Sequence, residues 1–196
     1  LDGLNEILPS SALVADVSSV KKDLLNKKYN FNFILSHPMA GSHESGFLAA
    51  DENLFSGAKW LVDKNNENEI LKKIILDLGA IYLPFDMKSH DKFCAQISHF
   101  PTILSFLLFD LADDSAKQIA SSGFRDTTRL AMTNKNLAFS MFSNNLENIE
   151  ECFEILQEKL NYLKNCSDDE KINLFSAIAQ KRAEMYDSFG KNIFKI

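Results

Sequence analysis

The sequence is poor in the residues that announce most cofactor and metal sites. Its three cysteines (Cys94, Cys152 and Cys166) form no CxxC pair. So odd and scattered a set argues against a disulfide framework or a zinc motif, and it fits reduced thiols in the cytoplasm. The seven glycines never fall in GxGxxG spacing, so the residues given carry no dinucleotide fingerprint. Walker A, HExxH and GxSxG motifs and any local Cys/His metal cluster are missing too. Basic charge is in deficit: 21 Lys+Arg stand against 27 Asp+Glu, a net charge of −6. A nucleic-acid partner would call for the opposite balance. Long apolar runs are also lacking. The longest, Ile103–Phe109, stops at Asp110, far short of a bilayer's thickness, so no membrane partner is expected. No basic-then-apolar opening reads as a signal peptide. The chain starts at Leu1, and Leu1–Leu8 reads as the end of a helix feeding a strand, as in the later part of a longer protein.

What is present is ordinary globular material: 196 residues, 45% hydrophobic and 24% charged. Short strands are predicted at Ala12–Ala15, Phe31–Ser36, Lys59–Val62 and Ala80–Leu83. Ser18 and Ser19 can cap a helix running to about Asn26. Ile70, Leu71, Ile74, Ile75 and Leu78 mark one face of a helix over Glu69–Leu78, with Gly79 as its C-terminal cap. Strands alternating with helices predict an α/β sheet, mostly parallel. Strand signals stop after Pro84. Lys88–Leu111 reads as a long apolar helix bent by Pro101 and buried in an assembly. Further helices are predicted at Asn134–Asn144 and along the stripe Leu146, Ile149, Phe153, Leu156, Leu160, Leu163. A last helix opens at Ser167-Asp168-Asp169-Glu170, with Ile172, Phe175, Ile178, Met185 and Phe189 facing inward. The expected division is 1–86, part of an α/β domain, and 87–196, an all-helical domain.

Four segments could carry chemistry. Asp16–Lys21 ends a strand and opens the expected helix, at the sheet edge where α/β proteins bind ligands; an ordinary capped helix reads the same way. His37–Gly46 (HPMAGSHESG) follows a strand directly. His37 there is either a proton acceptor titrating near neutrality, within about a unit of ~6.5, or a loop histidine bonded to backbone. His99, in Ser98-His99-Phe100-Pro101, sits among apolar residues, where a satisfied core histidine is the commoner reading. His90-Asp91 upstream reads as a helix-start pair. Arg125 and Arg129, two of only three arginines, would share a helix face. They suit either anion recognition or ion pairing to Asp126.

Together these segments resemble the prephenate/arogenate dehydrogenase family. The match rests on DVSSVK at Asp16–Lys21, HPMAGSHESG at His37–Gly46, His90-Asp91 followed by SHFP at Ser98–Pro101, and GFRDTTRLA at Gly123–Ala131. These occur in the family's order and spacing over about residues 1–165. The resemblance implies the C-terminal half of a Rossmann-type NAD(P)-binding domain followed by a helical dimerisation domain, in a homodimer. It implies oxidative decarboxylation of prephenate or arogenate on the route to tyrosine, with hydride transfer to NAD or NADP. His37 would accept the hydrogen bond of the substrate's ring hydroxyl. Ser19 would sit between nicotinamide, hydroxyl and His37. Arg129 would bind a substrate carboxylate, with Arg125, Ser42, His43, His99 and Thr102 lining the substrate and Asp16, Ser19 and Pro38 the cofactor. Thr102 stands where the family's SHLPH has its second histidine. Ser121-Ser122-Gly123-Phe124 replaces GGGF, and His43 replaces a common glutamate. A non-catalytic helical dimerisation or regulatory module derived from the family is the alternative, and retention of His37, Ser19 and Arg129 argues against it.

Overall fold

The structure, a computed structural model, describes residues 2–41 and 46–188. Four strands form one sheet in the order β1 (Leu13–Asp16), β2 (Asn32–Pro38), β3 (Lys59–Asp63), β4 (Ile81–Phe85). β1 is parallel to β2 and β3 to β4, but β2 and β3 are antiparallel. The sheet is therefore mixed: two of its three pairings are parallel, as expected, and one is antiparallel. The connections explain why. Parallel neighbours need a crossover, usually a helix. Helix α1 (Glu69–Asp77) supplies one between β3 and β4, whereas the described residues between β2 and β3 hold only a 3-10 turn at Phe47–Ala49.

The helix expected after β1 is not formed. Only one helical turn survives, where the Leu24 and Leu25 amides donate to the Lys21 carbonyl at 2.8 and 3.0 Å. Neither Ser18 nor Ser19 caps it. The Lys21 amide donates to the Asp91 carboxylate at 2.8 Å and the Lys22 amide at 2.7 Å, so the cap comes from 70 residues away. Helix α1 behaves as its pattern predicts. Asn68 accepts from the Ile70 and Leu71 amides, Leu71 and Ile75 are buried, and Gly79 closes the helix at φ 75°.

Strand alternation sends Ile34 and Leu35 to opposite faces of the sheet. Ile34, Trp60 and Val62 pack against Leu71 and Ile75 of α1. Leu35 and Leu61 pack on the other face with Met87, Leu24 and Leu25. Met87 opens α2 (Met87–Cys94), which continues through a π-turn (Ala95–His99) into α3 (Phe100–Leu111). The expected irregularity at Pro101 thus lies one turn upstream, in the π-turn through which the helix runs unbroken into α3. The π-turn makes His99 follow Cys94 by five positions while staying on the buried stripe His90, Cys94, His99, Thr102, Ser105.

This stretch is inside out. Its buried stripe is largely polar, while Phe93, Ile97, Leu107, Phe109 and Leu111 are exposed. By length and composition its 25 residues could also cross a bilayer, a property it shares with core helices of soluble proteins. The later elements are α4 (Asp114–Lys117), α5 (Ser122–Thr127), a 3-10 turn (Arg129–Met132), α6 (Lys135–Asn144), α7 (Leu146–Asn165) and α8 (Asp168–Ser188). Every described regular element after β4 is helical. By packing the chain forms two units, Leu1–Glu150 and Glu151–Ile196. In the second, the Ser167–Glu170 capping box forms as expected. The apolar stripe of α8 does not face inward: Ile172, Phe175, Ile178 and Met185 are exposed. A unit of two helix segments has no further layer to cover it. Phe189 lies outside the described residues.

Ser36 ties the strands that carry the site. Its hydroxyl donates to the Asp16 carbonyl at 2.6 Å and accepts from Trp60 Nε1 at 3.1 Å. Ser36→Ala leaves both buried groups unpaired, so it should cost about 1–3 kcal/mol. Urea denaturation should show a lower midpoint with an unchanged slope; an unchanged midpoint would contradict this packing.

Candidate functional site

Parallel strands β1 and β2 end side by side, and the residues at their carboxyl ends meet the start of α2. Asp16, the last residue of β1, is buried and paired with Lys21 Nζ, and it also accepts from the Ser18 amide at 3.0 Å. Lys21 Nζ donates further to the carbonyls of Ser18 (2.6 Å) and Ser36 (2.7 Å). Burial lowers the Lys21 pKa, against the pull of Asp16. The Asp16 carboxylate is thus taken up by the protein's own cation. Ser19 lies half-buried in the same loop, where the described hydrogen bonds are made by Ser18 and Lys21.

His37 projects from the end of β2 and is buried. Its Nδ1 lies 2.9 Å from His90 Nε2, and His90 Nδ1 lies 2.7 Å from Asp91 Oδ1. The pair His90-Asp91 is therefore not a helix start; α2 is capped instead by Asp86, and both residues are buried facing β2 and the β1–β2 loop. Burial would raise the Asp91 pKa, but hydrogen bonds from His90 and the Lys21 and Lys22 amides outweigh it and hold the carboxyl below its usual range.

These contacts fix protons. An ionised Asp91 only accepts, so His90 carries hydrogen on Nδ1. With His90 neutral, its Nε2 is an acceptor and His37 Nδ1 must donate to it. That leaves the lone pair of His37 on Nε2. Burial, helped by His90 and Lys21, pushes the His37 pKa down to about 3. The expected titration near neutrality is thereby corrected: the imidazole stays neutral, an acceptor at every physiological pH.

His99 is set the opposite way. Asn145, the residue between α6 and α7, donates through Nδ2 to the Asp91 carbonyl at 2.8 Å and to His99 Nδ1 at 2.9 Å, while its Oδ1 accepts from Asn148 at 2.7 Å. His99 Nδ1 therefore accepts and Nε2 bears the hydrogen. That Nε2 is buried with no partner among the described residues, and burial lowers the His99 pKa to about 4. A buried, unpartnered donor is what a ligand oxygen would satisfy. The expectation of a fully satisfied core histidine fails at this one atom.

Thr102 is buried one turn beyond His99. Ser105, a turn further, donates to the Thr127 carbonyl at 3.2 Å and accepts from the Ala131 amide at 3.0 Å, pinning the arginine-bearing segment to α3. Arg125 and Arg129 do not share a helix face, because α5 ends at Thr127 and Arg129 opens a 3-10 turn. Arg125 Nε bonds Asp126 at 2.9 Å at the surface, and Arg129 is exposed. Pro38 closes β2 opposite Trp60. Ser42 and His43 lie outside the described residues. Sequence reasoning missed Lys21, Cys94 and Asn145 and misassigned His90 and Asp91. The His90-Asp91 doublet was the one local signal available.

The proton assignment is open to measurement. In this chain at neutral pH, nitrogen-15 NMR should find hydrogen on Nδ1 of His37 and His90 and on Nε2 of His99. Asp91→Asn can turn an amide hydrogen toward His90 Nδ1, which should move the His37 hydrogen to Nε2. A His37 already carrying hydrogen on Nε2 in the wild type would refute the chain of bonds.

Known proteins give this geometry a context. Residues 1–81 match the family model of the prephenate dehydrogenase nucleotide-binding domain, and residues 86–181 match that of the prephenate dehydrogenase dimerization domain. The prephenate dehydrogenase of Lactococcus lactis subsp. cremoris (strain MG1363) is 36% identical over 167 residues, covering 77% of this chain and 47% of the relative. The chain thus spans about half the length of the curated relatives it matches. Prephenate dehydrogenase from A. aeolicus, in complex with hydroxyphenyl propionate and NAD+, superposes with a TM-score of 0.79 at 25% identity, over 93% of this chain and 70% of that one. Synechocystis arogenate dehydrogenase superposes at 0.73 and 27% identity, over 96% and 73%. The fold is a Rossmann-like nucleotide-binding part with a mixed sheet followed by a helical dimerization domain, and the chain belongs to the prephenate/arogenate dehydrogenase family.

Proposed function

We propose that this chain carries the catalytic residues of an NAD(P)-dependent dehydrogenase that oxidatively decarboxylates prephenate or arogenate, in the cytoplasm and on the route to tyrosine. The observation that carries the reading is His37: a buried, neutral imidazole whose remaining acceptor, Nε2, is set by the Asp91–His90 bonds. The family relative solved with hydroxyphenyl propionate and NAD+ supports the substrate and cofactor classes.

The residues present fit only one end of such a cofactor. The loop after β1 and Pro38 at the end of β2 lie where α/β sheets take ligands, and Val17 and Ser18 there are exposed. Asp16 would act through Lys21, by holding that loop, rather than by touching the cofactor. No glycine-rich phosphate cradle exists among these residues. When bound, a nicotinamide supplies the hydride acceptor.

The chain's own part is proton handling and orientation. Hydride leaves the ring carbon that bears the hydroxyl, and that hydroxyl loses its proton to His37 Nε2. The ring carboxylate then departs as carbon dioxide, its bonding electrons complete the aromatic ring, and the proton returns from His37 to the phenolate oxygen. Ser19 would hold the hydroxyl toward His37. His99 Nε2–H, with Thr102 beside it on the helix, would donate to a substrate oxygen. Arg129 would bind a substrate carboxylate, with Ser42 and His43 continuing the substrate loop. Arg125, engaged by Asp126, is the weaker candidate of the two arginines.

His37→Asn in the intact native protein should lower kcat by about 10²–10⁴ with the fold retained. Wild-type kcat should show no acid limb from His37 until the pH approaches its pKa of about 3. A near-wild-type kcat in His37→Asn would reject the assignment.

We also propose a homodimer that covers the apolar outer face of α2 and α3, with roughly 2,000 Å² or more buried. Sedimentation at micromolar concentration should give the dimer mass; a clean monomer would contradict it.

A further inference from the structure

The sequence holds no local metal motif, yet the fold gathers three ligating side chains. His37 comes from β2, and His90 and Cys94 come from one face of α2. All three are buried, and their ligating atoms lie within 4.8 Å of one another. His37 Nδ1 is 2.9 Å from His90 Nε2, and Cys94 Sγ is 3.3 Å from His90 Nε2 and 4.0 Å from His37 Nδ1. Tetrahedral Zn²⁺, with bonds of ~2.0–2.1 Å to nitrogen and ~2.3 Å to sulfur, sets such ligand atoms roughly 3.3–3.6 Å apart. Each observed separation is within about half an ångström of that range.

Two further features suit a cation. His90 Nδ1 is bonded to Asp91 Oδ1 at 2.7 Å, and a carboxylate behind a ligating imidazole orients it and strengthens it as a ligand. The charges also balance. Asp16 and Lys21 cancel as a pair, which leaves Asp91 as the uncompensated charge among the described groups of the cluster. A divalent cation with one thiolate adds a single positive charge and closes that balance.

We propose that His37 Nδ1, His90 Nε2 and Cys94 Sγ form a three-ligand site for a borderline or soft divalent cation such as Zn²⁺, with a fourth position open to water. On binding, the Cys94 thiol proton is released to solvent and the His37 proton moves from Nδ1 to Nε2. His37 then donates where it previously accepted. The consequence, which rests on His37 as proton acceptor in the proposed reaction, is reversible inhibition.

Co²⁺ is the optical probe, added to the metal-free chain. One equivalent should produce a thiolate-to-cobalt charge-transfer band and intense tetrahedral visible bands, both displaced by Zn²⁺. Cys94→Ser and His90→Ala, checked for folding by circular dichroism, should weaken Co²⁺ binding by at least about tenfold. Cys94→Ser should also lose the charge-transfer band, and Cys94→Ala replaces it if the serine variant does not fold. Cys152→Ser/Cys166→Ser should keep the bands. Absence of bands at one equivalent, or bands that survive in Cys94→Ser, would overturn the site and leave the dehydrogenase reading untouched. Stoichiometric binding without loss of dehydrogenase activity in the intact protein would uphold the site and overturn the role of His37.

Discussion

The carboxylate of Asp91 is the constraint on which the rest of the site depends. It takes the Lys21 and Lys22 amides, which ends the β1–β2 loop in a single helical turn, and it takes His90 Nδ1, which sets the next imidazole. Its own backbone carbonyl receives Asn145 from the start of α7. One residue on α2 therefore joins the sheet, the long helix and the junction of two later helices. Hydrogen bonds to an ionised acceptor contribute about 1.5–3 kcal/mol each, more than neutral ones. A buried backbone donor, a part-buried one and a buried ring nitrogen would be left without partners if this group were lost.

The long helix is organised around that anchor. A regular α-helix through Met87–Leu111 would rotate His99 and Thr102 off the face that holds His90 and Cys94. The π-turn at Ala95–His99 absorbs one residue and keeps both halves of the polar stripe facing the protein. The same geometry turns Phe93, Ile97, Leu107 and Phe109 outward. Polar groups inside and apolar groups outside are two consequences of one helix register, so the exposed apolar surface lies back to back with the buried polar stripe.

Desolvation gives the histidines their chemistry. His37 and His99 are both held neutral mainly by burial, at about 3 and about 4. Their hydrogen bonds then separate them into an acceptor and a donor. A reaction that takes a proton from a hydroxyl while fixing another oxygen of the same molecule needs this asymmetry, and two charged imidazolium groups would offer only donors. Cys94 is kept as a thiol by the same burial, helped by Asp91, with its pKa pushed up to about 12. It stands 3.3 Å from His90 without competing as an anion for the proton that His37 donates.

Much of the local structure was legible in the sequence. Strand β3, helix α1 with its Gly79 cap, the Asn134-capped α6 and the Ser167–Glu170 capping box follow from periodicity and caps encoded within a few residues. So does the placing of His37 at a strand end. Only the tertiary structure decided the rest. Ser18 and Ser19 looked like caps, but the amides nearby bond a carboxylate 70 residues on. The antiparallel step between β2 and β3 depends on the connection between them, which strand patterns do not encode. Arg125 and Arg129 lost their common face when α5 stopped at Thr127. Asn145 carries no local signal, because an asparagine at a helix junction is ordinary until its amide meets a histidine 46 positions earlier. Hydrogen-bond direction decides which ring nitrogen is free, and partners at separations of 46 to 70 residues are chosen by packing, not by sequence neighbours.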